Sequence, residues 1–113
     1  DEFLTKFEYK NIMANYDSGN SASLGYNVKE ELIILKKWIK NVHVKDRIFN
    51  GGTVQFGTGD TKFDEFFSML SKINYSGDLI IQGARDLESK LKPKQTCQLY
   101  QKFVKQYVDK YYI

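Results

Sequence analysis

Cysteine, proline and histidine are nearly missing from this 113-residue chain, which has one of each: Cys97, Pro93 and His43. A lone cysteine excludes an internal disulfide and any CxxC metal or redox motif, so a reducing compartment, the cytoplasm, is the expected setting. Long apolar runs are missing too: none approaches the ~18 residues of a membrane span. The opening Asp1-Glu2-Phe3-Leu4 has neither the basic start nor the apolar core of a signal peptide. Nor is there an excess of one charge. Seventeen Lys and Arg against fourteen Asp and Glu give a net charge of +3, well mixed in sign, so composition argues for no nucleic-acid or membrane partner. Repeats, heptads and low-complexity tracts are absent.

What is there suits one modest core: 42% of residues are hydrophobic, enough for a single unit over residues 1–113. The chain starts without methionine, inside what reads as a short amphipathic helix with Phe3, Leu4 and Phe7 on one side, so an internal start is expected. The richness in Lys, Asn, Ile, Tyr and Phe reflects genome composition and carries no mechanism.

Ile12 to Tyr16 reads as a strand that stops at the turn-rich tetrad Asp17-Ser18-Gly19-Asn20. Val28 to Lys40 reads as a helix, with Val28, Leu32, Leu35 and Ile39 at helical spacing. Asn41 to Lys45 is a second strand. A long loop follows from Asp46 to Asp60, with four glycines among its fifteen residues. Thr61 can cap the next helix, whose apolar stripe is Phe63, Phe66, Phe67, Leu70 and Ile73. Asn74 to Asp78 turns the chain into a third strand, Leu79 to Gln82. A last helix runs from about Gln95 to Tyr112, with Tyr100, Phe103, Val104, Tyr107, Val108 and Tyr111 on its core face. Alternation of this kind means parallel strands and an α/β fold.

Side chains alternate across a strand, so its two faces are legible. Asn15 and Asp17, Asn41, His43 and Lys45, and Ile80 and Gln82 oppose the apolar faces of their strands, and each such face turns polar toward its C-terminal end. Buried polar groups of this kind need partners, water or a ligand. A TIM barrel and a flavodoxin-like open sheet both place sites at strand ends, so parity leaves the two open.

NYDSGNSASLGY (Asn15 to Tyr26), NVHVKDR (Asn41 to Arg47), TVQFGTGDTKFDEFF (Thr53 to Phe67) and INYSGDLIIQGAR (Ile73 to Arg85) resemble, in order and spacing, the last third of the sugar-phosphate isomerase/epimerase family of the xylose-isomerase-like TIM-barrel superfamily. An HxKD strand, a GxGxxxF loop and a YxG ahead of the last strand carry the resemblance over nearly the whole chain. It implies that the chain is the C-terminal part of a (β/α)8 TIM barrel, about three βα units with strands six to eight. It also implies one divalent metal ion, manganese foremost, with zinc, magnesium or cobalt as alternatives. The family's ligands are a Glu on strand five, an Asp on six, a His on seven and a Glu on eight. Asp17 and His43 match the second and third; Gln82 stands at the fourth, a departure, and the first would lie before residue 1.

The chemistry implied is proton transfer next to a carbonyl, with the metal polarising substrate oxygens. Gln82 can coordinate through its amide oxygen but exchanges no proton at neutral pH, which favours one-base isomerisation over two-base epimerisation. No residue of the chain is assigned as the catalytic base. Lys45, Arg47 and Arg85 are candidates for a substrate phosphate, or for surface ion pairs with Asp46 or Asp86. Asn20 stands where ketohexose epimerases tend to carry a substrate-contacting histidine, which favours a phosphorylated-sugar branch; a single histidine also weakens an endonuclease IV-like reading. Asp17 alone suits a turn or helix cap, and Gly57 and Gly59 suit turn chemistry better than a phosphate loop. The isolated chain is expected to be inactive, and to associate with itself or with the missing N-terminal portion of the barrel. The other reading is a non-catalytic sugar-phosphate-binding or interaction module built on the same fold fragment.

Overall fold

The structure is a computed structural model that describes residues 2–6, 13–84 and 92–112. After a single helical turn, α1 (Glu2–Thr5), the order is β1 (Ala14–Asp17), α2 (Ser18–Leu24), α3 (Val28–Leu35), β2 (Ile39–Val44), β3 (Asp46–Arg47), β4 (Thr53–Val54), α4 (Phe63–Lys72), β5 (Leu79–Ile81) and α5 (Pro93–Tyr111).

β1, β2 and β5 form one parallel sheet in that order. Helices α3, α4 and α5 follow one another against its one face, with α4 packed between the other two. The core lies under them: Tyr16, Leu32, Val42, Val44, Phe66, Phe67 and Leu70 meet Tyr100 and Val104 of α5. Phe66, Phe67 and Leu70 have no solvent exposure, so truncating any one to alanine would cost about 2–5 kcal/mol. Among the described residues no helix covers the opposite face of the sheet: Asn15, Asn41, Ile80 and Gln82 are exposed there. A parallel sheet with helices on one face and a polar second face is the α/β pattern expected, and it corresponds to part of a TIM barrel.

Three local readings are corrected. The tetrad after β1 is a helix start, not a turn: the Asp17 carboxylate accepts the Asn20 N–H at 2.8 Å, and Gly25, at φ 74°, closes α2 in the left-handed conformation. The residues that make a good turn also make a good N-cap. The helix expected to run to Lys40 ends at Leu35, because the Trp38 carbonyl is needed by Ala14 N–H (2.7 Å) to begin the β1–β2 pairing. Thr61 does not cap α4: its hydroxyl donates to the Lys45 carbonyl at 3.1 Å, and Lys62, which offers no side-chain cap, takes the N-cap position.

The long loop holds its own antiparallel pair, β3 with β4. It is tied down by Asp46, which is fully buried. One carboxylate oxygen accepts the N–H groups of Gly57 and Gly59, both at 2.9 Å, and the other accepts that of Thr61 at 3.1 Å. The glycine-rich turn therefore wraps a carboxylate of its own chain. A Cβ on Gly59 would lie 2.4 Å from Asp46 Oδ1, so the close approach requires glycine.

Candidate functional site

The strand register decides which polar residues meet. Asp17 lies opposite His43, and His43 opposite Ile80, on the helix-free face. Gln82 follows two residues after Ile80, and its N–H continues the pairing to the Val44 carbonyl at 2.9 Å. Its side chain returns to His43, with Nδ1 and Oε1 3.2 Å apart. The two atoms are within hydrogen-bond reach, with the amide oxygen as the acceptor.

Asp17 has two duties. Oδ1 caps α2, and Oδ2 lies 3.6 Å from the Lys45 ammonium, in an ion pair whose side chains are only 11% and 14% exposed. Lys45 is fixed at its backbone, where Ser18 Oγ accepts its N–H at 2.9 Å and donates to its carbonyl at 2.7 Å. Asn20 joins this group to Arg47, whose Nη1 donates to Asn20 Oδ1 at 2.8 Å. Nε and Nη2 of Arg47 both donate to the Gly51 carbonyl, at 3.0 and 2.7 Å. Asp17, Asn20, His43, Lys45, Arg47 and Gln82 thus form one polar group along the ends of the strands. Lys45 pairs with Asp17 and not with Asp46. Arg85, the remaining sequence candidate, lies outside the described residues.

The donors can be tested against a divalent ion. Carboxylate oxygen, imidazole nitrogen and amide oxygen are all suitable, and the His43–Gln82 spacing is one that two neighbouring ligands of a single ion can also take. The set carries a single negative charge, and Lys45 already faces it. Among the described residues no three His, Cys, Asp or Glu side chains gather as a metal group. Held by one ion, these donors would supply only part of its coordination sphere, and further ligands would have to come from elsewhere.

Below the site, Tyr16 donates to Glu31 at 3.0 Å, and Ser21 donates to the same carboxylate oxygen. Burial, partly offset by the Ser21 hydroxyl and helped by the Glu31 charge, pushes the Tyr16 hydroxyl well above the usual tyrosine range. A cleft of about 310 Å3 opens beside α2 and the start of α4, lined among others by Tyr26, Phe49, Asp60, Lys62 and Glu65.

The residue that sequence reasoning missed is Asp46. A signal existed: it shares parity with Val42 and Val44, the helix-facing side of β2, where a carboxylate survives only if its oxygens are satisfied. A loop rich in glycine N–H groups immediately afterwards supplies the donors.

No helix among the described residues is long and apolar enough to cross a membrane. The sequence model of the xylose isomerase-like TIM-barrel family matches residues 1–102. A curated relative from Haemophilus influenzae, SgbU, which bears the name of an L-ribulose-5-phosphate 3-epimerase, is 36% identical over 73 residues; the match takes in 58% of this chain and 26% of that one. Among solved structures, a xylose isomerase domain protein from Planctomyces limnophilus superposes with a TM-score of 0.79 at 22% identity, over 97% of this chain and 42% of that one. D-allulose 3-epimerase from Methylomonas sp., in complex with D-allulose, gives 0.69 at 18% identity over 94% and 40%. The 3-keto-D-glucoside 4-epimerase YcjR from E. coli gives 0.68 at 19% identity over 94% and 36%. The chain therefore spans about a quarter of the curated relative and about two fifths of the solved structures, and it shares the fold on which sugar isomerases and epimerases are built. With the family model matched over residues 1–102 and the three parallel strands and their helices superposing on solved members of the fold, the chain belongs to the xylose isomerase-like TIM-barrel family.

Proposed function

We propose that the chain supplies strands six to eight of a divalent-metal-dependent sugar-phosphate isomerase or epimerase that moves a proton next to a carbonyl. The observation that carries this reading is the meeting of Asp17, His43 and Gln82 at the ends of adjacent parallel strands, on the face away from the helices. Asp17, His43 and Gln82 would hold the ion, manganese foremost, together with ligands from outside these three. Once bound, such an ion supplies positive charge to substrate oxygens beside the carbon that loses its proton.

Asp17 would give the site its charge and His43 a ring nitrogen. Gln82 orients His43 and takes no proton at neutral pH, so the base belongs to a part of the barrel that these residues do not form. One-base isomerisation follows more readily than two-base epimerisation. Arg47 and Lys45, with Arg85, would receive the substrate phosphate, and Asn20 holds Arg47 in place. On its own the chain would be inactive, because its inner face is open to water. Its partner is the remaining barrel or, failing that, a second copy; the compartment is the cytoplasm.

The test is to incubate the complete protein with sugar phosphates in D2O, with and without Mn2+, alongside Gln82→Glu, and to follow deuterium incorporation and product stereochemistry. Metal-dependent incorporation with isomerised product is expected. Epimerisation by the unmodified protein would remove the one-base reading, and absence of any metal-dependent exchange would remove the enzyme. The second reading, a non-catalytic sugar-phosphate-binding module, is favoured by Gln82 at an acid's position and by Asp17 already being paired. It predicts ligand binding that needs no metal.

A further inference from the structure

We infer that Lys45 is a built-in stand-in for the metal ion, and that loading the ion releases its ammonium to meet the anionic group of the substrate. This rests on the metal-centre reading above.

Asp17 Oδ1 already accepts the Asn20 N–H, so Oδ2 is the less encumbered oxygen for a metal ion. The ammonium of Lys45 faces the other, Oδ2, at 3.6 Å. An ion ligated by that oxygen would stand next to the lysine ammonium, and repulsion between the two cations would drive the ammonium away. The pair is well shielded, with side chains 11% and 14% exposed, so water and salt screen it less than a surface pair.

Only the tip of Lys45 is free to move. Its N–H and carbonyl are both bonded to Ser18 Oγ, and its stem lies against Gly19, where an added Cβ would come within 2.6 Å of Lys45 Cγ. The destination is set by Arg47. Its three hydrogen bonds among the described residues go to neutral oxygens, Asn20 Oδ1 and the Gly51 carbonyl. Among the described residues no carboxylate lies within ion-pair distance of it. Arg47 thus has no acidic partner among the described residues next to the group, and a freed Lys45 adds a second cation, the combination that suits a phosphate dianion. Metal and anion would then help each other bind, by equal factors in both directions.

The experiment titrates the complete protein with Mn2+, with and without inorganic phosphate, by calorimetry, comparing the unmodified protein with Lys45→Met and Arg47→Gln. Methionine keeps most of the stem that packs on Gly19 and removes the charge; far-UV circular dichroism checks the fold. Lys45→Met should bind Mn2+ about 5- to 50-fold more tightly, and the gain in phosphate affinity on adding Mn2+ should shrink by a similar factor. Arg47→Gln should weaken phosphate binding alike with and without Mn2+. A measurement needing no substitution is reductive methylation of the Lys45 amine, read by mass spectrometry, which should rise several-fold when Mn2+ saturates the protein. Equal or weaker Mn2+ binding by Lys45→Met would make Lys45 a positioning residue for Asp17 and overturn the inference, as would methylation indifferent to Mn2+. If Mn2+ binds normally in these cases, the metal centre stands; if the unmodified complete protein binds no Mn2+, both the centre and the stand-in fall.

Discussion

Replacing Asp46 by asparagine changes almost no volume, and so tests whether a single buried carboxylate organises the loop beside the site. Asp46 accepts three backbone N–H groups, from Gly57 and Gly59 on one oxygen and Thr61 on the other, without solvent exposure. Hydrogen bonds to a charged group contribute about 1.5–3 kcal/mol each, and a buried donor left unmade costs about 1–3 kcal/mol. In Asp46→Asn the amide oxygen can keep the two glycine bonds in weaker, neutral form, while its NH2 faces the Thr61 N–H, donor against donor. Relief of the buried charge offsets part of the loss. A destabilisation of about 2–4 kcal/mol is expected, and a slightly larger one for Asp46→Ala, which leaves all three donors unpaired.

Urea unfolding followed by circular dichroism reads this out. At a slope of ~1–3 kcal/mol per molar, the midpoint should fall by roughly 1–3 M with the slope unchanged. The loop also supports the site, through Thr61 Oγ1 on the Lys45 carbonyl and Asp60 N–H on the Arg47 carbonyl at 2.8 Å. Amide exchange at Gly57, Gly59 and Thr61 should therefore accelerate first, ahead of global unfolding. Stability of Asp46→Asn within ~0.5 kcal/mol of the parent, with exchange at those amides unaltered, would refute the assignment of Asp46 as the organiser.

The hydroxyl of Tyr112 is buried and, among the described residues, has no hydrogen-bond partner. Tyr112→Phe should then leave stability unchanged or raise it by up to ~1 kcal/mol in the same urea assay, and a loss above ~1 kcal/mol would reveal a missed partner. Burial pushes Tyr112 up to about 12 from 10.0, and raises Tyr16 further. A raised tyrosine keeps its proton in the fold when the unfolded chain has lost it. The stabilisation is accordingly complete below pH 10 and is lost as pH climbs from 10 through 12. Tyrosinate absorbance at 295 nm should rise with the loss of circular dichroism, and ionisation of all tyrosines near pH 10 with the fold intact would contradict it. Among the described residues β1 and β5 are the sheet edges, and Met13 and Ile80 are 44% and 40% exposed, so the chain by itself should self-associate. A strictly monomeric species in sedimentation across the micromolar range would count against that.

Much of the fold was legible because periodicity and parity are local. The stripe Phe63, Phe66, Phe67 and Leu70 is the buried side of α4, and Tyr16, Val42 and Val44 face the helices as alternation requires. Boundaries were less legible. Asp-Ser-Gly-Asn suits a turn and an N-cap equally well, and nothing local says that the Trp38 carbonyl is committed to β1. The candidate site was legible as a set of residues, because polar groups at strand ends stand out from apolar faces.

Sequence alone determined the α/β class, the parallel strands and which side of each strand is polar, since these follow from spacing along one segment at a time. The partnerships within the polar side belonged to the tertiary structure. Register sets Asp17 beside His43, sends the Lys45 ammonium to Asp17, and brings Gln82 back onto His43. Likewise, Asp46 looked like a possible surface ion-pair partner until the loop folded over it. Such pairings depend on distances between segments 26 to 39 residues apart, and no local pattern encodes those distances.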